Sequence, residues 1–248
     1  MASLLDLWFL GRAGRNRAKF HFTHSYDRLA TLLLATRGPK AMAEAVGGEF
    51  EIVGATESAV LRYAGLSDGM SLIDFGCGSG RLAAALGREG RSISYYGIDI
   101  NRAFLEHARA VAPPSFRFAL NRTLSLPAPD VSADMVCAFS VFTHLKHTET
   151  FIYLQEIHRV LRPGGRVVFS FLEFASPRHW TIFDQSVAAD RHGNALHLNE
   201  FIERGAIDTW ADRLGFRRHA FIGDDEAPWD ERGPLGQSIA ILSKAHSE

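Results

Sequence analysis

Apolar and polar positions follow two patterns in turn from about residue 56 to residue 244. Short apolar runs rich in Ile, Val, Leu and Phe, such as residues 71–75 and 166–171, are typical of buried strands. Between them lie segments whose apolar residues recur at helical spacing, such as residues 56–63 and 149–161. This alternation of strands and helices predicts an α/β fold with a mostly parallel sheet.

The apolar runs predict seven strands, in residues 71–75, 93–98, 116–119, 133–140, 166–171, 216–223 and 237–242. Further helices are predicted in residues 102–111 and 199–214. An acidic, proline-containing hairpin is expected to connect the last two strands.

Two segments depart from the alternation. Residues 173–198 are rich in histidine and aromatic side chains, and a loop of this length is uncommon unless it is functional or irregularly helical. We therefore expect this segment to be an insertion that covers the substrate. Residues 1–55 are expected to form an N-terminal helical extension or lid, ahead of a main domain in residues 56–248.

The N-terminal extension opens with an apolar run, residues 4–10, and basic residues follow in residues 12–19. We expect these segments to pack against the main domain or against a second subunit, which would make a homodimer; the alternative is that they lie on a membrane surface. No apolar run approaches the roughly 20 residues of a membrane span, and the charges do not precede the apolar run as in a signal peptide. We therefore expect no stable membrane insertion and a cytoplasmic location.

Length and charge narrow the function classes. A chain of 248 residues suits one large α/β domain with a small appendage. The net charge of −1 gives no basic field that would attract nucleic acid. Cys77 and Cys137 have neither the number nor the spacing of a disulfide framework or a zinc site, so we expect two small buried residues in a reducing compartment.

The most informative stretch joins the first strand to a helix. It places Gly76, Gly78 and Gly80 at alternate positions after Asp74, directly before the helix-forming residues 82–86. Glycines allow positive φ and the close approach of a ligand, and the helix start presents unpaired N–H groups with a partial positive charge. The stretch predicts a turn that binds a polar, partly anionic cofactor. The alternative is a glycine-rich turn that binds nothing.

The spacing of the glycines separates two cofactor classes. The dinucleotide fingerprint G-x-G-x-x-G, begun at Gly76, would require its third glycine at position 81. Arg81 stands there, and the third glycine is Gly80. A nicotinamide-dependent oxidoreductase would have the same coarse architecture, but Arg81 counts against it.

Asp99 follows the second strand, 19 residues after Gly80. An acid at about this offset holds ribose hydroxyls in nucleotide-binding α/β folds, because one carboxylate can accept from two neighbouring hydroxyls. We therefore predict that Asp99 binds ribose. Its alternative role is to cap the helix that begins near residue 102.

The motif D-x-G-x-G-x-G resembles motif I of the class I S-adenosylmethionine (SAM)-dependent methyltransferases. Asp99, the L-P…D-x-V pattern of residues 126–136 and the V-L-R-P-G-G run of residues 160–165 extend this resemblance in the family's order. The resemblance implies a three-layer sandwich whose seven-stranded sheet is mostly parallel with an antiparallel last strand. It also implies SAM as cofactor, S-adenosylhomocysteine as product, and a glycine turn around the amino-acid end of SAM.

The resemblance also implies a cofactor site. Tyr26, with Arg28 beside it, is a candidate for a lid helix over SAM, since relatives have a tyrosine-containing helix ahead of the first strand. Relatives have an acid near the adenine amino group after the third strand, but this chain offers Asn121 or Arg122. The predicted cofactor-binding residues are Tyr26, Asp74, Gly76, Cys77, Gly78, Gly80, Arg81, Asp99, Ile100, Asn121, Arg122 and Ser140.

Methyl transfer to a hydroxyl requires removal of its proton, and histidine is the usual base near neutral pH. His144 follows the fourth strand, where the acceptor would meet the methyl group, and is our first candidate for the base. His179 and His197, from the predicted cover, are the alternatives.

Two subclasses are disfavoured by the residues after the fourth strand. The run from Ser140 to Thr143 is unlike the Asn/Asp-Pro-Pro-Tyr/Phe box of amino-methyltransferases, and Ser140 does not supply the aspartate of catechol-type metal sites. We therefore predict metal-independent transfer to a small molecule. Its acceptor atom is an oxygen of a natural product, sugar or lipid-linked intermediate, with nitrogen second. The alternatives are a non-catalytic partner protein with this fold and RNA methylation through the arginines of residues 12–28.

Overall fold

The described part of the chain forms a single seven-stranded sheet. The computed structural model describes residues 49–193 and 198–246. The strands are β1 (Ser71–Phe75), β2 (Ser94–Asp99), β3 (Arg117–Leu120), β4 (Ala133–Ala138), β5 (Leu161–Phe171), β6 (Phe216–Ile222) and β7 (Ser238–Lys244), in the spatial order β3-β2-β1-β4-β5-β7-β6. The first five are parallel, and β7 is antiparallel to both β5 and β6. The predicted fold is confirmed.

Within the described residues, six helices accompany the sheet: α1 (Phe50–Tyr63), α2 (Arg81–Arg88), α3 (Arg102–Val111), α4 (His147–Val160), α5 (Pro177–Arg191) and α6 (Arg204–Leu214). A 3-10 turn, Phe142–His144, follows β4. None of the described helices is both long and apolar enough to cross a membrane.

The side chains of each strand separate into two cores, one on each face of the sheet. Leu72 of β1 packs with α1 and α2, whereas its neighbour Ile73 packs with α4 and α6. Successive side chains of a strand point to opposite faces, so an uninterrupted apolar run requires apolar cover on both sides. The short apolar runs of the sequence are explained by this burial.

The chain order reverses between β1 and β4. β1 is followed outward by β2 and β3, and β4 is followed by β5 on the other side. In open α/β sheets the crevice at such a reversal, beside the carboxyl ends of the strands, is where ligands bind. The ends of β1, β2 and β4 are therefore the place to look for a site.

Three boundaries differ from the sequence-based expectations. Helix α1 begins at Phe50 and runs through the domain boundary expected between residues 55 and 56. Strand β5 begins at Leu161 rather than Arg166, because the Pro-Gly-Gly run is taken up in an irregularity of its pairing with β4. The expected loop at residues 173–198 contains α5.

The helix predicted at residues 199–214 begins only at Arg204. The residues before it are extended and pair with the end of β5. The N–H of Ile202 donates to the carbonyl of Leu172 at 2.8 Å, and Phe201 forms an isolated bridge with Leu172. These tertiary hydrogen bonds outweigh the local helical preference of the segment.

Candidate active site

The glycine turn between β1 and α2 has the conformation that its sequence predicts. Gly76, Gly78 and Gly80 have φ angles of 78°, 54° and 90°. A Cβ atom at Gly76 would lie 2.3 Å from Cγ2 of Val141, and one at Gly80 would lie 2.7 Å from Cα of Ala108. Neither position can accept a side chain, so the turn exposes bare backbone.

Backbone hydrogen bonds fix this turn against β2. The N–H groups of Gly76 and Cys77 both donate to the carbonyl of Ile98, at 2.8 and 3.1 Å. Helix α2 then begins at Arg81 with Gly80 as its N-cap, and no side chain caps it. Its first-turn N–H groups can therefore meet a negatively charged group of a ligand.

Asp99 connects the end of β2 to the glycine turn. Its Oδ2 accepts a hydrogen bond from the N–H of Gly78 and its Oδ1 accepts one from the N–H of Asn101, both at 2.8 Å. Burial raises the pKa of Asp99 to about 6, although these backbone hydrogen bonds oppose the shift. A carboxylate has about four lone-pair sites, so with backbone hydrogen bonds from Gly78, Ile100 and Asn101 it can still accept from a hydroxyl.

The alternative role for Asp99, the cap of α3, is wrong. The N-cap of α3 is Asn101, whose Oδ1 accepts a hydrogen bond from the N–H of Phe104 at 3.1 Å. The bare turn and the neighbouring carboxylate together fit SAM, which offers a charged amino-acid end and two ribose hydroxyls.

Asp74 lies behind the glycine turn. Its Oδ2 accepts a hydrogen bond from the hydroxyl of Tyr95 at 2.5 Å, and its Oδ1 accepts one from the thiol of Cys137 at 3.5 Å. Burial raises the pKa of Asp74 to about 7. Both of these hydrogen bonds come from buried side chains of the protein. We therefore assign Asp74 to the support of the turn rather than to contact with the cofactor. The side chain of Cys77 is also buried, so this residue offers its backbone.

Arg81 forms an ion pair with a residue of α1. Its Nε and Nη2 lie 2.8 and 2.5 Å from Oε1 of Glu57, whose side chain is 2% exposed. A Cβ atom at Gly54 would lie 2.5 Å from the carbonyl oxygen of Arg81, so the two helices touch through their backbones. Burial raises the pKa of Glu57, although the charge of Arg81 opposes the shift.

The two candidates for the adenine contact differ in their surroundings. Asn121 is buried and organises its own loop: its Nδ2 donates to the carbonyls of Thr123 and Ser125, and its Oδ1 accepts from Thr123. Both amide protons are thereby used, which argues against a direct adenine contact by Asn121. Arg122 is exposed and donates from Nε to the carbonyl of Ile100 at 2.8 Å. This hydrogen bond holds Arg122 next to Ile100, the residue that follows Asp99.

His144 lies in the 3-10 turn after β4. Its Nδ1 is 2.7 Å from the carbonyl oxygen of Leu198. A carbonyl accepts only from a protonated nitrogen, so in the neutral ring Nδ1 carries the hydrogen and Nε2 is the basic atom. The tautomer of His144 is therefore the one that a base acting through Nε2 requires.

His179 does not suit the role of a base, and this expectation is corrected. Its side chain is fully buried, its Nδ1 accepts from the N–H of Glu173 at 3.1 Å, and its Nε2 lies 3.3 Å from the carbonyl of Gly236. Both ring nitrogens serve to attach α5 to its neighbours. His197 and Tyr26 lie outside the described residues.

Four aromatic rings form a cluster where β5 ends and α5 begins. The ring of Phe174 stacks on Phe201 at 4.7 Å and meets Phe183 edge-on at 5.2 Å, while Trp180 lies 5.1 Å from Phe183. Trp180 is 47% exposed and Phe174 is 41% exposed. The cluster gives the carboxyl side of the sheet an apolar, partly open rim.

Ser140, the second residue after β4, adopts a left-handed conformation, with φ of 55°. Its N–H donates to Oγ of Ser170 at 2.7 Å, and its Oγ donates to Oε1 of Gln237 at 3.2 Å. A non-glycine residue in this region is strained and is held there by its surroundings.

Sequence reasoning missed Glu57, Tyr95 and Gln237. Glu57 carried one weak signal, an acid on the otherwise apolar face of its helix. Tyr95 and Gln237 acquire their roles through neighbours distant in the chain, and nothing local marks them. Among the described residues there is also no group of three or more His, Cys, Asp or Glu side chains placed to hold a metal ion.

Comparisons with known proteins agree with this geometry. Residues 73–169 match the model of a methyltransferase domain. The chain is 26% identical over 201 residues to the biotin biosynthesis bifunctional protein BioHC of Cellvibrio japonicus; the match takes in 79% of this chain but only 38% of that protein. It is 25% identical over 195 residues to the ubiquinone biosynthesis O-methyltransferase of Sodalis glossinidius, covering 76% of each chain.

A third relative is the 2-phytyl-1,4-naphthoquinone methyltransferase of Nostoc punctiforme, 28% identical over 191 residues and 74% of each chain. Among solved structures, the magnesium protoporphyrin IX methyltransferase of Synechocystis, with bound S-adenosylhomocysteine, superposes with a TM-score of 0.61 at 17% identity; the alignment covers 89% of this chain and all of that one. From the domain match, the strand order and the glycine turn, we conclude that residues 73–169 form a methyltransferase domain of the class I SAM-dependent type.

Proposed function

We propose that this methyltransferase acts on an oxygen of a small-molecule acceptor, with nitrogen as the second choice. The observation that carries the proposal is the fixed tautomer of His144 at the carboxyl end of β4. An oxygen nucleophile needs a base as it attacks, whereas a neutral amine does not need one before attack. The ubiquinone biosynthesis relative is named as an O-methyltransferase, which supports the same choice.

The residues of the crevice would have separate roles in cofactor binding and in proton removal. Bound SAM supplies the methyl group as an electrophile, and the electron pair of the broken carbon–sulfur bond stays on sulfur in S-adenosylhomocysteine. Asp99 would accept from the ribose hydroxyls, and the turn from Gly76 to Gly80 would surround the amino-acid end. His144 Nε2 would receive the acceptor proton while the carbonyl of Leu198 holds the protonated Nδ1.

The aromatic cluster supports an acceptor with an aromatic or isoprenoid part. Flat apolar rings bind such groups by burial of apolar surface and by offset or edge-on contacts. Helix α5 carries two of the four rings, and His179 is its only buried side chain. We therefore retain the proposal that residues 173–198 cover the acceptor. Metal-independent transfer, the N-terminal lid, the homodimer and the compartment stay predictions.

Labelled methyl transfer tests the proposed function directly. The purified full-length chain is incubated with methyl-labelled SAM and separate sets of phenols, hydroxylated sugars, amines and RNA. We expect label in the phenols, and His144→Ala should reduce that transfer while SAM binding, measured by calorimetry, is kept. Label in amines or RNA alone would refute oxygen as the acceptor atom.

A further inference from the structure

Three polar side chains meet where β4 and β5 end and β7 begins. They are Ser140, Ser170 and Gln237. Phe171, the last residue of β5, pairs with Ser238, so Gln237 stands just beyond the carboxyl edge of the sheet. Ser170 is completely buried, whereas Ser140 and Gln237 are partly exposed. The cluster is therefore partly exposed at the carboxyl edge of the sheet, the edge to which we assign the acceptor.

The amide oxygen of Gln237 faces the two serine hydroxyls. The hydroxyl of Ser170 accepts from the N–H of Ser140 and donates to Oε1 of Gln237, 2.6 Å away. The hydroxyl of Ser140 donates to the same oxygen at 3.2 Å. An amide oxygen has two lone pairs, and both are used here. Gln237 can consequently offer a ligand only the two N–H bonds of Nε2.

No described residue accepts a hydrogen bond from Nε2 of Gln237. Donors that lose water without gaining a partner cost free energy, so an amide that a ligand will cover requires an acceptor on that ligand. The strained φ of Ser140 is part of this arrangement, because its N–H and its hydroxyl both serve to hold the amide.

The cluster also adjoins the cofactor turn. Val141 follows Ser140, and its Cγ2 fills the space where Gly76 lacks a side chain. A molecule beside Gln237 would therefore lie close to the glycine turn that we assign to SAM, with Val141 between them. This position is suited to the acceptor.

We propose that Nε2 of Gln237 donates a hydrogen bond to a second oxygen of the acceptor, one that carries no proton. The acceptor would then be a hydroxylated compound that also bears a carbonyl, carboxyl or ester oxygen. The inference rests on the proposed function and adds a specificity residue to it. A hydroxyl in place of the carbonyl would need another acceptor for its proton, because the Gln237 oxygen has no lone pair left to accept it.

Two matched probes and a matched variant test this inference. The probes are 2-hydroxyacetophenone, which has the carbonyl, and 2-ethylphenol, which lacks it. Gln237→Glu keeps two oxygens for the serine hydroxyls but removes both N–H bonds. Gln155→Glu makes the same change at an exposed site on α4 and serves as control. Gln237→Met, which adds no charge, shows whether the negative charge of glutamate contributes.

In the wild type we expect a KM for 2-hydroxyacetophenone about tenfold lower than for 2-ethylphenol, the scale of one hydrogen bond. Both Gln237 variants should raise only the KM for 2-hydroxyacetophenone, with SAM affinity and the KM for 2-ethylphenol unchanged. Equal effects on both probes, or an unchanged KM in Gln237→Glu, would overturn the inference alone. If the wild type binds SAM and labels amines or RNA but neither phenol, the proposed function is wrong as well.

Discussion

The carboxylate of Glu57 in α1 and the guanidinium of Arg81 at the start of α2 form a buried ion pair at 2.5 Å. The pair joins the helix that precedes the sheet to the first turn of the helix that follows the glycine turn. Removal of one partner from a buried pair leaves an uncompensated charge, which is far more costly than the loss of an exposed pair.

Arg81→Met should lower the free energy of unfolding by about 3–5 kcal/mol at pH 8. The loss should be smaller at pH 5, because burial already raises the pKa of Glu57 and the lone carboxyl can take up a proton. The double variant Glu57→Gln/Arg81→Met should recover much of the loss. Denaturant titrations at both pH values measure this, and an equal loss in single and double variants would contradict it.

Asp74 makes stability depend on pH. Its folded-state pKa of about 7 lies above the ordinary value of 3.8, so the folded state binds the proton more tightly than the unfolded chain. The contribution of Asp74 to the free energy of unfolding is fully present below pH 3.8 and is lost as the pH rises through about 7. In the wild type we expect a loss on the order of 3 kcal/mol between pH 5 and pH 8 from this group.

Asp74→Asn should abolish most of that loss, because the amide does not ionise. Chemical unfolding at pH 5 and pH 8 compares the variant with the wild type. Asp212→Asn, at an exposed position of α6, provides a control that should leave the pH dependence in place. If Asp74→Asn keeps the wild-type difference between the two pH values, the raised pKa is wrong.

Asp99→Ala should weaken SAM binding by about 1–3 kcal/mol, the scale of lost hydrogen bonds to a charged group. The corresponding dissociation constant rises by about 5- to 150-fold. Calorimetric titration with SAM measures it, with Asp130→Ala as a control at an exposed acid that pairs with Arg159 instead. An unchanged dissociation constant would remove Asp99 from the cofactor site.

His144→Ala should slow turnover by about 100-fold or more, the usual contribution of a positioned base. SAM affinity should be kept, since the proposed role concerns the acceptor proton. His147→Ala, three residues later in an exposed position, is the matched control and should retain turnover. Equal turnover in both variants would show that the base lies elsewhere.

The sequence predicts those parts of the site that are local in the chain. The glycine turn needs only three alternate glycines between a strand and a helix, and Asp99 needs only its place at the end of β2. Glu57 and Arg81 lie 24 residues apart and Ser140 and Gln237 lie 97 apart, so their meetings depend on the packing of whole elements. Helix α5 was missed because one buried side chain gives no apolar periodicity to detect.

The way in which α5 is attached allows the stability of the fold and the choice of acceptor to change independently. His179, in its first turn, fixes the helix to Glu173 and Gly236, and the residues from Trp180 to Arg191 contribute no buried side chain. Substitutions of the exposed residues of that outer stretch, such as Asp184 and Gln185, should therefore have little effect on the free energy of unfolding. Related chains could diverge there to accept different compounds while the sheet and the glycine turn stay constant.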